Sequence, residues 1–181
     1  MPHYYGKKVM LREYRESDFE EIRKWVNNPE VVVYLSDIFL YPQSEKQTEA
    51  FMERAMSSLW KGFVIADRVT EEYIGQVDFV NLDEKNGFGE LGIVIGDPNK
   101  TSKGYGSEAL ELFLDFGFNQ LRLNRIELVC WGYNLRAQKA YEKVGFVKEG
   151  ISRKKRFRNG SYHDEISYGI LREEWEKKHQ D

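Results

Sequence analysis

Gly92-Ile93-Val94-Ile95-Gly96-Asp97-Pro98-Asn99-Lys100-Thr101-Ser102-Lys103-Gly104-Tyr105-Gly106-Ser107-Glu108-Ala109-Leu110 is the stretch whose reading decides the fold. Ile93, Val94 and Ile95 read as the end of a buried strand, which Asp97-Pro98-Asn99 breaks. Gly104 and Gly106 then lead into the apolar run Ala109, Leu110, Phe113, Leu114, which predicts a helix to about Phe118. A strand, a glycine turn and a helix start present bare backbone N–H groups at the positive end of a helix. That setting suits an anion, above all a phosphate.

Upstream, Tyr73 to Val80 and Phe88 to Ile95 read as strands joined by an Asn86-Gly87 hairpin, with Phe63 to Ala66 as a third strand before them. Gly75, Gly89 and Gly92 interrupt these strands, where glycine marks a bulge or the close approach of another backbone. Val9 to Arg12 is a short strand. Ser17-Asp18-Phe19-Glu20 has the form of a capping box before the stripe Phe19, Ile22, Trp25, Val26, which Asn28-Pro29 ends. Ser44 and Gln47 make a second box before Thr48, Phe51, Met52, Ala55, Met56 and Leu59, with the methionines as core filler. Residues 30–43 are apolar without period, and suit a substrate-side loop as well as core.

Downstream, Arg125 to Cys130 reads as a strand and Asn134 to Val144 as a helix capped by Gly145. Phe146-Val147 starts another strand. The basic run Arg153-Lys154-Lys155-Arg156 reads as a solvated hairpin face, and Tyr162 to Ile170 as a closing strand. The expected fold is α/β: a mixed, mostly antiparallel sheet of about seven strands with flanking helices. The pair flanking the central helix should be parallel, joined by a right-handed crossover.

With 181 residues, no internal repeat and no linker, the chain is expected to form one domain over residues 1–181. A net charge of −3 gives no nucleic-acid footprint. No apolar run reaches the roughly 20 residues of a membrane span, and the N-terminus lacks the apolar core of a signal peptide. The lone Cys130, between Val129 and Trp131, reads as a buried strand thiol in a reducing compartment, so the expected location is the cytoplasm. His3, His163 and His179 are too scattered for a metal site.

Three phosphate-binding schemes compete for the glycine loop. A P-loop fails because Thr101 stands where its second glycine must be. Gly104-Tyr105-Gly106-Ser107-Glu108-Ala109 matches the dinucleotide fingerprint G-x-G-x-x-G/A literally, with Glu127 downstream, and keeps an NAD(P)-dependent reductase as an alternative. Against it, residues 96–103 separate the strand from the first glycine, and Glu127 falls within a strand.

The third scheme rests on resemblance. Ser102-Lys103-Gly104-Tyr105-Gly106 resembles the pyrophosphate loop Q/R-x-x-G-x-G/A of the GCN5-related N-acetyltransferases. Asn134, Ala137, Tyr141, Gly145 and Phe146 are similar to that family's second motif, N-x-x-A-x-x-x-Y-x-x-x-G-F. The Leu11-Arg12 strand and the segment from Glu149 to Asp164 resemble the branch that acetylates ribosomal protein N-termini and spermidine. The chain departs from the pattern at Thr101 and Ser102, which replace a frequent Gln or Arg and a frequent glycine.

The resemblance implies acetyl transfer from acetyl-CoA to a primary amine, by direct attack in a ternary complex and without a metal. The acceptor would be a peptide N-terminus, a polyamine or another small amine. A non-catalytic CoA-binding regulatory domain is a further alternative, and the exposed apolar segments are compatible with a homodimer. Ile93, Val94 and Ile95 would offer backbone hydrogen bonds to the pantetheine arm. Thr101, Ser102, Lys103, Gly104, Tyr105, Gly106 and Ser107 would cradle the pyrophosphate, and Asn134 and Ala137 would flank the cofactor arm.

Tyr141 would protonate the leaving thiolate; it also shares a helix face with Ala137, Ala140 and Val144, as a core tyrosine would. An amine of pKa about 10.4 is neutral to about one part in a thousand at pH 7.4, a cost of roughly 4 kcal/mol. Glu90, on the strand feeding the loop, is the candidate base through a water, or else an ordinary strand carboxylate. Residues 30–43 and the hairpin at 153–164 are expected to shape the acceptor site.

Overall fold

A computed structural model describes residues 3–180. In chain order the elements are β1 (Tyr4–Tyr5), β2 (Val9–Arg12), α1 (Asp18–Trp25), α2 (Pro29–Val32), α3 (Glu45–Ala55), β3 (Gly62–Asp67), β4 (Tyr73–Asp83) and β5 (Phe88–Ile95). They continue with α4 (Tyr105–Asp115), β6 (Arg125–Trp131), α5 (Leu135–Val144), β7 (Val147–Arg158), β8 (Ser161–Leu171) and α6 (Arg172–Lys178). Hydrogen bonds link the eight strands in the order β1-β2-β3-β4-β5-β6-β8-β7. The pair β5–β6 is parallel, as expected, while β1–β2, β2–β3, β3–β4, β6–β8 and β7–β8 are antiparallel. No helix among the described residues is long and apolar enough to cross a membrane.

The chain folds as two compact units. One holds the residues up to Asp78 with Ile93–Leu112, and the other holds Phe79–Gly92 with the residues from Phe113 onward. β4, β5 and α4 therefore contribute to both.

In the first unit, α1 and α3 bury Ile22, Trp25, Met52 and Ala55 against Met10, Val64 and Ala66 of the sheet. The Trp25 indole donates to the Tyr73 hydroxyl at 3.1 Å, and Tyr73 donates to Gln76 Oε1 at 2.9 Å. A Cβ at Gly75 would stand 2.0 Å from the Val94 carbonyl oxygen, so this glycine marks a close backbone approach. In the second unit, Phe79 meets Phe113 at a ring distance of 4.5 Å, and Phe118, Leu128, Val144 and Tyr168 are buried.

Four sequence expectations need correction. The strand count is eight, because Tyr4–Tyr5 is too short to carry an alternating pattern. The Ser17 capping box does not form. Asp18 instead takes two hydrogen bonds from the Arg12 guanidinium, at 2.8 and 2.9 Å, and one from the Arg15 N–H, at 2.8 Å. Residues 30–43 are not structureless: Asn28 caps α2, and a 3-10 turn spans Asp37–Leu40. Helix α3 stops at Ala55, which leaves Met56 and Leu59 exposed, so of the Met52–Met56 pair Met52 alone fills the core. The Ser44–Gln47 box forms as expected, with both reciprocal bonds, and α6 carried no cue beyond Trp175.

The Arg12–Asp18 pair is almost fully buried. Asp18→Ala would leave a buried guanidinium without its counter-charge, and should cost about 3–5 kcal/mol in urea unfolding.

Candidate active site

Two groups of candidate residues form, one in each unit. In the first, β5 ends as the Gly96 N–H donates to the Ile74 carbonyl at 2.9 Å. Asp97 Oδ1 accepts from the Asn99 N–H at 2.9 Å and opens the 3-10 turn Pro98–Lys100. The Thr101 hydroxyl donates to the Pro98 carbonyl at 2.7 Å, so its proton is committed inside the loop. Ser102 and Gly104 both take left-handed backbone, with φ of +60° and +85°. The first helical bond of α4 runs from the Glu108 N–H to the Gly104 carbonyl at 3.1 Å, and the N–H groups of Tyr105, Gly106 and Ser107 precede it. A Cβ at Gly106 would meet only Ile95, at an ordinary 3.8 Å, so packing within the protein does not require glycine there. Ile93, Val94 and Ile95 are half-buried.

Two residues at this loop were not singled out in the sequence. The Glu108 carboxylate accepts the backbone N–H groups of Lys7, Lys8 and Val9 at 2.6, 2.9 and 3.0 Å. The turn so held places the Lys8 ammonium 3.1 Å from the Lys103 carbonyl, and 3.7 Å from where a Gly104 side chain would begin. A positive charge thus stands beside the loop, although Thr101 brings none. The contact joins residues far apart in the chain, and an acidic residue in a first helical turn signals only a favourable dipole.

The second unit holds Glu90, Asn134, Ala137 and Tyr141. The parallel pairing of β5 with β6 ends at Glu90–Glu127, although both strands continue. Glu90 is half-buried, and burial, then the charges of Glu127 and Glu165, raise its pKa above the ordinary carboxylate value. Asn134 caps α5 by accepting the Ala137 N–H at 3.3 Å. Gly145 closes the same helix in left-handed backbone, with φ of +119°.

Tyr141 is buried between Phe146 and Tyr168, at ring distances of 6.0 and 5.7 Å. Burial, then Cys130 and Tyr168, pushes its phenol above 10, so it is a fully protonated donor. The Cys130 thiol is buried and its pKa pushed up to about 11, chiefly by burial, as expected of a structural rather than a reactive cysteine. Glu127, which the dinucleotide reading needs as a free acid, is hydrogen-bonded to Arg125 at 2.6 Å.

A mixed sheet with a parallel β5–β6 pair and a left-handed glycine loop leading into a helix start fit the acyl-CoA-dependent acyltransferase class. A model of the acetyltransferase (GNAT) domain matches residues 8–147, and the chain belongs to the GNAT family. It is 28% identical over 177 residues to the uncharacterized N-acetyltransferase YnaD of Bacillus subtilis, with 96% of this chain and 99% of that one covered. To the spermidine N(1)-acetyltransferase of Escherichia coli it is 28% identical over 162 residues, with 87% and 77% covered. Among solved structures, a spermidine N-acetyltransferase from Vibrio cholerae in complex with CoA and spermine superposes with a TM-score of 0.82 at 25% identity, covering 94% of this chain and 99% of that one. The chain is an acetyl-CoA-dependent N-acetyltransferase.

Gly104 tests the loop directly. A branched residue at φ +85° carries about 1–3 kcal/mol of strain. Gly104→Val should weaken CoA binding at least tenfold by calorimetry.

Proposed function

We propose that this chain transfers the acetyl group of acetyl-CoA to a small primary amine by direct attack, without a covalent enzyme intermediate. The observation that carries the reading is the first-turn N–H groups of Tyr105, Gly106 and Ser107, which follow left-handed Gly104 and precede the first helical bond, with the Lys8 ammonium beside the loop. These groups fit a pyrophosphate: donors at a helix start, no side chain in the way, and one cation near enough to add charge. Lys103 to Ser107 would hold the pyrophosphate largely through backbone. Thr101 and Ser102 shape that loop rather than supply a side-chain charge.

Acetyl-CoA brings the activated thioester; the chain's own residues bind, orient and move protons. The end of the parallel ladder at Glu90 supports the backbone of Ile93, Val94 and Ile95 as hydrogen-bonding groups for the pantetheine arm. Asn134 and Ala137 would set the start of α5 beside that arm, and Tyr141 on the same helix would donate the proton that the departing sulfur requires. Because burial raises the Tyr141 pKa, donation needs the bound state to bring its acidity closer to that of a thiol. Glu90 would accept the amine proton through water, and its raised pKa favours that task. The bound spermine of the Vibrio cholerae enzyme supports a small amine as acceptor.

Two variants test these roles. Tyr141→Phe should lower kcat at least tenfold in an acetyl-CoA turnover screen across polyamines, amino acids, aminoglycosides and N-terminal peptides, while the KM for acetyl-CoA stays within about twofold. Unchanged turnover would remove the acid role. Lys8→Gln should raise the KM for acetyl-CoA about tenfold and leave the KM for acetyl-pantetheine, which lacks the pyrophosphate, unaltered.

A further inference from the structure

The last rung of the parallel β5–β6 ladder sets two carboxylates side by side. Glu90 and Glu127 are register partners, so both side chains leave the same face of the sheet, from strands about 4.8 Å apart. Like charges directly opposite each other destabilise a strand pair, and beyond this rung β5 and β6 no longer pair. Among the described residues, no hydrogen bond or cation reaches the Glu90 carboxylate. Glu127, in contrast, is held.

Its support spans three strands of the second unit. Arg125 lies two residues before Glu127 and on the same face of β6. Its Nε and Nη2 both stand 2.6 Å from Glu127 Oε2, and Nε–H donates to that oxygen. Its terminal nitrogens also donate to Glu149 of β7, at 2.8 and 2.5 Å. Because β8 runs between β6 and β7, this bridge must pass over it. It does so at Gly169, where a Cβ would stand 2.7 Å from Arg125 Nη1 and 2.6 Å from Glu149 Oε1. On the other side, the register of β7 slips between Lys148 and Gly150, a bulge that holds Glu149. One glycine and one bulge thus serve a single ion bridge.

The bridge divides one cation between two acids. Glu149 engages the guanidinium through both oxygens, the stronger geometry, and Arg125 keeps its carboxyl below the ordinary value. Glu127 is engaged through Oε2 alone, so its charge is fixed in place but only partly met. Burial first, then the charges of Glu127 from β6 and Glu165 from β8, raise the Glu90 pKa. Glu165 stands on the same face, opposite Trp131, and has two cations of its own, Lys155 at 2.6 Å and Arg156 at 2.7 Å. Glu127 is the less balanced of the two.

We propose that Glu127 is a positioning residue for acetyl transfer: its fixed charge makes Glu90 a stronger base, and the Arg125–Glu149 bridge sets how much of that charge Glu90 meets. Its bearing on the reaction rests on the reading of Glu90 as the base; the coupling of the two carboxylates does not. The proton leaving the amine passes through water to Glu90 as the new bond to carbon forms. Glu127 stays ionised and takes none of it.

The test is the titration midpoint of Glu90 in the intact protein without added ligand, read from carboxyl carbon chemical shifts by NMR, with Glu90→Gln to assign the signal. Glu127→Gln should lower the midpoint by about one pH unit, because one negative neighbour is gone. Glu149→Gln should lower it by about half a pH unit, because the guanidinium then turns wholly to Glu127. Arg125→Gln should raise it by about one pH unit, because both acids lose their cation. A bridge that only stiffened the sheet would not move the midpoint in opposite directions when its two ends are cut. The side chains of Arg125, Glu127 and Glu149 are 30, 32 and 38% exposed, so each variant should fold.

A base works in its ionised form, so the acid limb of kcat should follow, to lower pH in Glu127→Gln and to higher pH in Arg125→Gln. A midpoint that stays within about 0.2 pH unit of wild type in any of the three variants, or moves the other way, would overturn the proposal. Midpoints that shift as stated while the acid limb of kcat stays in place would uphold the coupling and remove Glu90 as the base instead.

Discussion

The Glu108 carboxylate ties the loop of this enzyme to the start of its chain. By taking three consecutive N–H groups from Lys7, Lys8 and Val9, it joins the turn before β2 to the first turn of α4. Three charge-assisted bonds to one carboxylate form a rigid fastening. The loop before the helix has two left-handed residues and a 3-10 turn, and such a backbone keeps one shape only when its surroundings over-determine it. From below, the Asp97 side chain and the Thr101 hydroxyl bind the turn internally; from the side, Lys8 reaches the Lys103 carbonyl. A loop fixed on these sides holds its donors ready, so less ordering would remain for the phosphate proposed to bind there.

What could be read from the sequence was what lies close in the chain. The Asn86-Gly87 hairpin, the Ser44–Gln47 box, the Gly145 cap and all of β5 depend on neighbours a few residues away, and each is where its residues predict. The parallel β5–β6 pair follows from strand, helix, strand order and handedness. The Ser17 box failed because Asp18 was drawn into a bond with Arg12, a partner set by tertiary packing. Lys8 and Glu108 were invisible for the same reason at longer range. The Gly104 loop and the Asn134–Tyr141 helix carry a motif in order and spacing, so those candidate positions were legible as loop and helix.

The polar groups on the α1–α3 face are knitted into the packing of the first unit. Tyr73, Trp25 and Gln76 form a closed chain of hydrogen bonds, the usual fate of buried polar atoms. Nearby, Tyr14, Phe51 and Trp60 pack edge to face as an aromatic cluster with the Tyr14 hydroxyl and Trp60 N–H inside it.

Cys130 gives the chemistry a quieter safeguard. A thiol with a pKa near 11 is ionised to only about one part in ten thousand at neutral pH, and only the thiolate attacks a thioester or a disulfide. An enzyme that handles acetyl thioesters and releases free thiol at every turnover meets both reagents that would modify its own cysteine. Burying its sole thiol in β6 disfavours both self-acylation and mixed disulfides with the released thiol.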